Sequence, residues 1–247
     1  NRILRARSNY LGMLRLIDDQ LKRLVEGVRE RGLEDNTIFL YLSDHGDFAG
    51  EYDLIRKGPD LPDVLCHIPF VWRGLGIRQA GKTAEGYVSI VDILPTICDY
   101  LDVPVPFGCQ GKSILPLLNG TEYPVGEYES AFAESGFGGL YWNEEDRLDL
   151  MSEGASQNME TFDCLNTWTQ CGQVRALWKD GWHIQLDMMG KGFLYRLSDD
   201  PAELHNLWDD PACQEKKQEL LTALAAEMMK QTDPLPVPHY RYRVKVH

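Results

Sequence analysis

The run Thr37-Ile38-Phe39-Leu40-Tyr41-Leu42 is apolar, rich in β-branched and aromatic residues, and stops abruptly at Ser43-Asp44-His45-Gly46-Asp47. Upstream of it, Tyr10, Met13, Leu14, Ile17, Leu21, Leu24, Val25 and Val28 recur at i, i+3, i+4 and i+7, which predicts an amphipathic helix over about residues 4–31. Gly32 is a natural helix stop, and Glu34-Asp35-Asn36 turns the chain into the strand. A helix that enters a strand through so short a loop is one half of a parallel α/β unit. In open α/β sheets, ligands bind beyond the carboxyl ends of the strands. Asp44 and His45 stand at such an end. An acid and an imidazole there can give an oxygen and a nitrogen to one divalent cation.

Neighbouring residues of a strand point to opposite sides, so both groups face one ion only if the backbone bends after Leu42. Gly46 permits that bend. Asp47 either orients the His45 ring or a cation-bound group, or is a loop carboxylate. Further on, Arg56-Lys57-Gly58-Pro59 fixes a lysine in front of a rigid turn. An ammonium there can bind an oxygen of an anionic ester and neutralise charge that develops on the leaving oxygen. Asp44, His45 and Lys57 together read as a metal-assisted site for a tetrahedral oxyanion ester.

The segment 46–63 is rich in Gly, Asp and Pro and reads as an active-site loop. Residues 67–72 form a second strand candidate, and 88–101 a helix whose Pro95 is tolerable only near its first turns. The turn cluster Asn119-Gly120-Thr121-Glu122-Tyr123-Pro124 marks a candidate boundary, dividing the chain into 1–120 and 121–247. The second part reads as strands near 129–134, 173–178, 182–186 and 192–197, with a hairpin turn at Lys179-Asp180-Gly181, then a helix over 214–230 and a Pro-rich tail. His183, on one of these strands, could line a substrate pocket or sit on a hairpin surface. His67 could approach the site or merely flank its strand. The aromatic and acidic stretch 137–149 could be a specificity loop or an irregular packed one.

Composition sets limits on partners. With 247 residues, the chain has room for one large domain or one and a part, taking roughly 150 residues per domain. A net charge of -13 argues against a nucleic-acid surface, yet a local cluster such as Arg56 and Lys57 can still receive a small anion. No apolar run approaches the ~18 residues of a membrane helix. The six cysteines show no CxxC spacing. Cys66 and Cys98 read as core, while Cys164 and Cys171 are free thiols or a pair across a loop.

Beyond the metal and lysine loops, five further stretches carry a resemblance: Leu33–Phe39, Gly50-Glu51, Val88–Thr96, Gly111–Gly120 and Phe193–Leu207, the last with Asp199-Asp200-Pro201-Ala202-Glu203 and Asn206. Together with Asp44–Asp47 and Arg56–Pro59, they resemble the second half of a type I, formylglycine-dependent sulfatase of the alkaline phosphatase superfamily. The resemblance covers nearly all of the chain and is weakest over 125–172. It implies an α/β fold: part of an alkaline-phosphatase-like sandwich of helices around a mainly parallel sheet, plus a small C-terminal α+β subdomain with an antiparallel sheet. It implies that Asp44 and His45 bind one divalent cation, calcium or magnesium, and that Lys57 contacts the sulfate. The substrate would be a carbohydrate or small-molecule sulfate ester.

The sequence departs from that family in one large respect. No Cys or Ser begins a Cys/Ser-x-Pro-x-Arg run, the source of the formylglycine nucleophile, and the family's first Asp-Asp pair is absent; Asp18-Asp19 falls within the helical pattern. The expectation is that this is a C-terminal half, partnered by an N-terminal half that holds the nucleophile, and inactive alone. Tyr52 stands where many relatives have His. A phosphonate monoester or phosphodiester hydrolase of the same superfamily is the alternative, and a non-catalytic module the third reading.

Overall fold

A computed structural model describes residues 2–58, 60–74, 76–78, 81–136 and 172–231. The expectations for Cys164, Cys171, the stretch 137–149 and the Pro-rich tail lie outside these residues. The first helix, α1, spans Arg2–Glu30, as its apolar spacing predicts. Its stripe is unburied among the described residues, with Met13, Leu14, Ile17 and Leu24 exposed. Gly32 adopts a left-handed φ of 65°, and its N–H donates to the carbonyl of Arg29, which ends the helix.

Strand β1 (Ile38–Leu42) follows directly and pairs antiparallel with β4 (Phe70–Gly74), Leu40 lying opposite Trp72. The helix-to-strand entry suggested a parallel neighbour; the described neighbour is antiparallel. Between the two strands the chain makes a small ribbon, β2 (Phe48–Ala49) with β3 (Ile55–Arg56), and a one-turn helix, α2 (Asp63–Cys66). The second strand begins three residues later than its sequence suggested. His67 still closes α2, its N–H donating to the Asp63 carbonyl at 2.7 Å, and Pro69 has no N–H to give a ladder.

Helix α3 (Ile93–Tyr100) carries Pro95 within its first turn, where a missing N–H costs nothing. Asp92, 3% exposed, accepts from the amides of Ser89 (2.8 Å) and Lys112 (2.9 Å). It thereby stitches α3 to the segment entering α4 (Leu115–Asn119).

The remaining elements form one antiparallel sheet in the order β5-β6-β7-β8. These are β5 (Ser130–Ser135), β6 (Val174–Lys179), β7 (Trp182–Asp187) and β8 (Gly192–Arg196). Asp180 and Gly181, both at positive φ (53° and 75°), make the tight turn that the right-handed strand twist favours. Helix α5 (Gln214–Lys230) lays Leu220 and Leu224 on Leu177, Ile184 and Leu194. Each such burial contributes about 1.5–3 kcal/mol of transfer free energy.

Candidate active site

The site begins where β1 ends. His45 accepts no help from the strand ladder; its backbone N–H donates to Asp44 Oδ1 at 3.0 Å, and its carbonyl accepts from the Ser43 hydroxyl at 2.6 Å. Gly46 follows, and the reason for a glycine here differs from the expected one. Its φ is not among the positive values of the chain. What it provides is room: a Cβ at Gly46 would lie 2.1 Å from the Val64 carbonyl oxygen. The Gly46 N–H donates to the Leu65 carbonyl at 2.8 Å. The loop is therefore pressed against α2, backbone to backbone.

The β2–β3 ribbon then folds the chain back. Phe48 is buried and packs edge-on against Tyr52, with ring centroids 5.6 Å apart. The turn uses left-handed backbone at Gly50 (φ 117°), Tyr52 (53°) and Asp53 (59°). From α1, Arg7 Nε donates to the Ala49 carbonyl at 3.0 Å, anchoring the ribbon from outside. Residue 57 is thus returned to the strand end it left.

Lys57 Nζ lies 2.7 Å from His45 Nε2. On the other side of the ring, Nδ1 lies 2.8 Å from the Gly46 carbonyl. A carbonyl can only accept, so Nδ1 carries the proton and Nε2 presents its lone pair, the tautomer that a metal-ligating histidine needs. The group that orients the ring is the Gly46 carbonyl, which fills one of the roles considered for Asp47. Asp44 Oδ2 stands 3.5 Å from the same Nε2. Partial desolvation pushes the Asp44 carboxyl up, but its electrostatic interactions with the His45 ring, the backbone amides and the Lys57 ammonium outweigh this and hold it below its ordinary range.

These distances test whether a cation fits. Two donors ~2.1–2.4 Å from one hard cation, at right angles, lie about 3.0–3.4 Å apart. The Asp44–His45 separation is close to that, the imidazole has the right tautomer, and the Asp44 side chain is 85% exposed and open to an incoming ion. The Lys57 ammonium now faces the Nε2 lone pair such an ion would take. Among the described residues no third His, Cys, Asp or Glu completes a cluster. The pair fits one edge of a cation site.

His183 does not belong to this site. It is 1% exposed, stacked on Trp178 at 4.3 Å with the rings 3° from parallel, and bonded through Nδ1 to Glu203. Neither a pocket-lining nor a hairpin-surface role survives, because no substrate can reach a side chain sealed between a strand and an indole ring. His67 is exposed and pairs with Asp63 at 3.3 Å. Cys66, beside the loop, is half-buried, and burial aided by Asp63 and Glu203 pushes its thiol up to about 12. Glu203, Gln185 and the helix 63–66 were not recognised as neighbours of the site. Of these only Glu203 left a trace in the sequence, inside the C-terminal signature.

The scaffold that gathers these groups has the alkaline-phosphatase-like hydrolase fold of its structural neighbours. The structure of phosphonate monoester hydrolase from Agrobacterium radiobacter superposes with a TM-score of 0.72, at 26% identity over 91% of this chain and 41% of that one. Residues 1–103 match the model of the Sulfatase family. An arylsulfatase of Clostridium perfringens is 33% identical over 118 residues, which is 46% of this chain and 24% of that protein. The multifunctional alkaline phosphatase superfamily protein PehA of Trinickia caryophylli is 36% identical over 117 residues, 47% of this chain and 23% of that protein. The chain spans about a quarter of the length of these two relatives.

Proposed function

We propose that the chain is the part of a sulfuric ester hydrolase that supplies one edge of a divalent-cation site and the lysine that receives the sulfate. The observation that carries this is the meeting of Asp44, His45 and Lys57 around one imidazole nitrogen. Asp44 and His45 would hold calcium or magnesium, whose chemistry is to polarise a sulfuryl oxygen. Lys57 would bind a second oxygen and offset charge on the leaving group. Asp47 lies next to the ligands and is not assigned a role in holding the ring.

The formylglycine nucleophile and the remaining ligands are proposed to come from a segment outside this sequence. A hard cation takes about six to eight oxygen-type donors, and two cannot hold it, so the 247 residues alone should be inactive. A sulfated carbohydrate or aryl sulfate is the proposed substrate class. The 26% identity to a phosphonate monoester hydrolase favours one second reading, hydrolysis of phosphonate monoesters by the same groups.

The test is turnover of paired aryl sulfate and aryl phosphonate monoesters by the full-length protein, with and without chelator, alongside mass spectrometry for the aldehyde. Sulfate turnover that chelation abolishes supports the first reading. Preference for the phosphonate supports the second, and turnover of neither refutes both.

A further inference from the structure

The loop that carries Lys57 is tied at three places to the C-terminal sheet unit. Before the lysine, the Tyr52 hydroxyl donates to the Ala202 carbonyl at 2.9 Å. After it, Gln185 works with both ends of its amide: Oε1 accepts from the Leu61 N–H at 2.8 Å, and Nε2 donates to Asp60 Oδ1 at 3.0 Å. Two residues on, Glu203 Oε2 accepts from the Asp63 N–H at 2.9 Å, at the start of α2. Gln185 and Glu203 are 3% and 5% exposed, so these bonds do not exchange freely with water.

Glu203 is itself held hard. Its other oxygen takes His183 Nδ1 at 2.5 Å, and His183 is stacked on Trp178. The backbone at Glu203 is left-handed (φ 53°), a conformation that costs about 1–3 kcal/mol for a residue with a side chain and needs its surroundings to impose it. Those surroundings are the rest of the signature. Asp200 Oδ2 accepts from the His205 N–H at 2.8 Å, and Asn206 Oδ1 accepts from the amides of Leu194 (2.9 Å) and Trp208 (3.0 Å). The segment is locked onto β8 with Glu203 turned toward α2.

The tie continues to the cation ligands. Helix α2 begins at the residue Glu203 holds, and its Leu65 carbonyl receives the Gly46 N–H beside His45. From Glu203 to Gly46 the connection runs through hydrogen bonds and one helical turn, with no flexible side chain in series after the carboxylate. Lys57 lies between the Tyr52 and Gln185 ties, and His45 lies at the end of the Glu203 tie.

We infer that Tyr52, Gln185, His183 and Glu203 are positioning residues: a clamp through which the C-terminal sheet sets the separation of Lys57 from Asp44 and His45. None of them touches the reacting groups. The inference rests on the assignment of Asp44, His45 and Lys57 as the site, and it gives the C-terminal unit a part in the chemistry.

The experiment uses the full-length protein and compares Glu203→Ala, Glu203→Gln and Tyr52→Phe with a control, Lys216→Ala, which removes an ion pair between α5 and Asp180 on the far side of the same unit. Hydrogen exchange over residues 44–66, the half-saturating concentration of calcium or magnesium, and kcat are measured. Loss of an orienting partner behind metal ligands typically costs about 10–100-fold in affinity or activity. Glu203→Ala is expected to lose that much in both while β6–β8 stay protected, with faster exchange at 44–66. Glu203→Gln keeps an oxygen for the Asp63 N–H and should recover most of the loss. Tyr52→Phe leaves no buried group unpaired, so it folds, and it should speed exchange near residue 52 and lower kcat. Wild-type exchange and cation half-saturation in Glu203→Ala overturn the clamp. If Glu203→Ala does not fold, wild-type exchange near residue 52 and wild-type kcat in Tyr52→Phe overturn it. If the wild type hydrolyses neither ester, the site assignment fails, and exchange at 44–66 still decides the clamp.

Discussion

Gly46→Ala is the sharpest test of how the strand end is built. Its Cβ would stand 2.1 Å from the Val64 carbonyl oxygen and 3.1 Å from both Val64 C and Leu65 Cα. A carbon and a carbonyl oxygen settle at roughly 3.3 Å, so α2 and the loop must separate by about an ångström. All the clashing atoms are backbone, and no side chain can swing aside. Overpacking of this kind costs about 1–3 kcal/mol. The Gly46–Leu65 hydrogen bond stretches with it, forfeiting about 1 kcal/mol more. The reduced freedom of the unfolded chain returns about 0.4–1 kcal/mol. The net expectation is a loss of about 1–3.5 kcal/mol in urea unfolding.

The functional loss should be larger than the stability loss. Misplacing a reacting group by about 1 Å can cost 100-fold in rate, and His45 is the next residue. The folded variant should therefore show kcat/KM down by about two orders of magnitude and weaker cation binding. A Gly46→Ala protein with wild-type unfolding midpoint and wild-type kcat/KM would show that the loop does not rest on α2.

Lys57→Ala should lower kcat/KM by about 10²–10³-fold, the scale for removing one preorganised charge stabiliser, and Lys57→Arg should not restore it, since a planar fork cannot replace a point charge in a half-buried place; unchanged rates would remove Lys57 from the site. Asp44→Asn should raise the half-saturating cation concentration by at least tenfold, because a hard cation prefers an ionised oxygen, while the urea midpoint of the cation-free protein barely moves at an 85% exposed side chain; titration calorimetry reads the first and circular dichroism the second. Burial, helped by nearby carboxylates, pushes the phenols of Tyr52, Tyr128 and Tyr195 and the thiol of Cys66 up to about 12. These groups bind protons more tightly folded than unfolded, so their contribution is whole below the ordinary values of about 9–10 and is lost as pH rises toward 12. Urea midpoints should fall steadily from pH 9 upward, with Cys66 slow to react with thiol reagents at pH 8; a midpoint flat to pH 11 would contradict the burial of these groups.

Much of this molecule can be read from residue order. The 3.6-residue spacing in 2–30, the apolar run ending at Leu42, the Asp180-Gly181 turn and the final helix at 214–230 are local signals, and the structure places each within a residue or two. Asp44, His45 and Lys57 were legible as residue types at the end of a strand. Their meeting in one site was legible too; the ribbon of two-residue strands that brings it about is too short to leave a pattern. Gly46 was read as a hinge and proves to be a contact surface, a distinction that exists only once Val64 is in place. His183 was read as lining a substrate pocket or sitting on a hairpin surface, since alternation along a strand leaves one face wet. Both faces are covered, one by α5 and the other by the loop 60–63, so Trp182, His183, Ile184 and Gln185 are all buried.

The covering of that second face explains how so irregular a loop can hold a site. Ordering backbone costs about 1–2 kcal/mol per residue, and each hydrogen bond returns only about 0.5–1.5 kcal/mol. The β2–β3 ribbon pairs two residues with two, far too few to fix 44–63 by itself. The difference must come from outside the loop. Arg7 on α1 supplies one anchor, and Gln185, Glu203 and the Ala202 carbonyl supply the rest. Buried acceptors such as Gln185 and Glu203 suit this task because a displaced amide would be left unpaired at about 1–3 kcal/mol each, which makes the native position steep. Lys57 and His45 are then precise for a reason found 120 to 150 residues further along the chain, and a change in the C-terminal sheet that leaves the fold intact should still be felt at the ester.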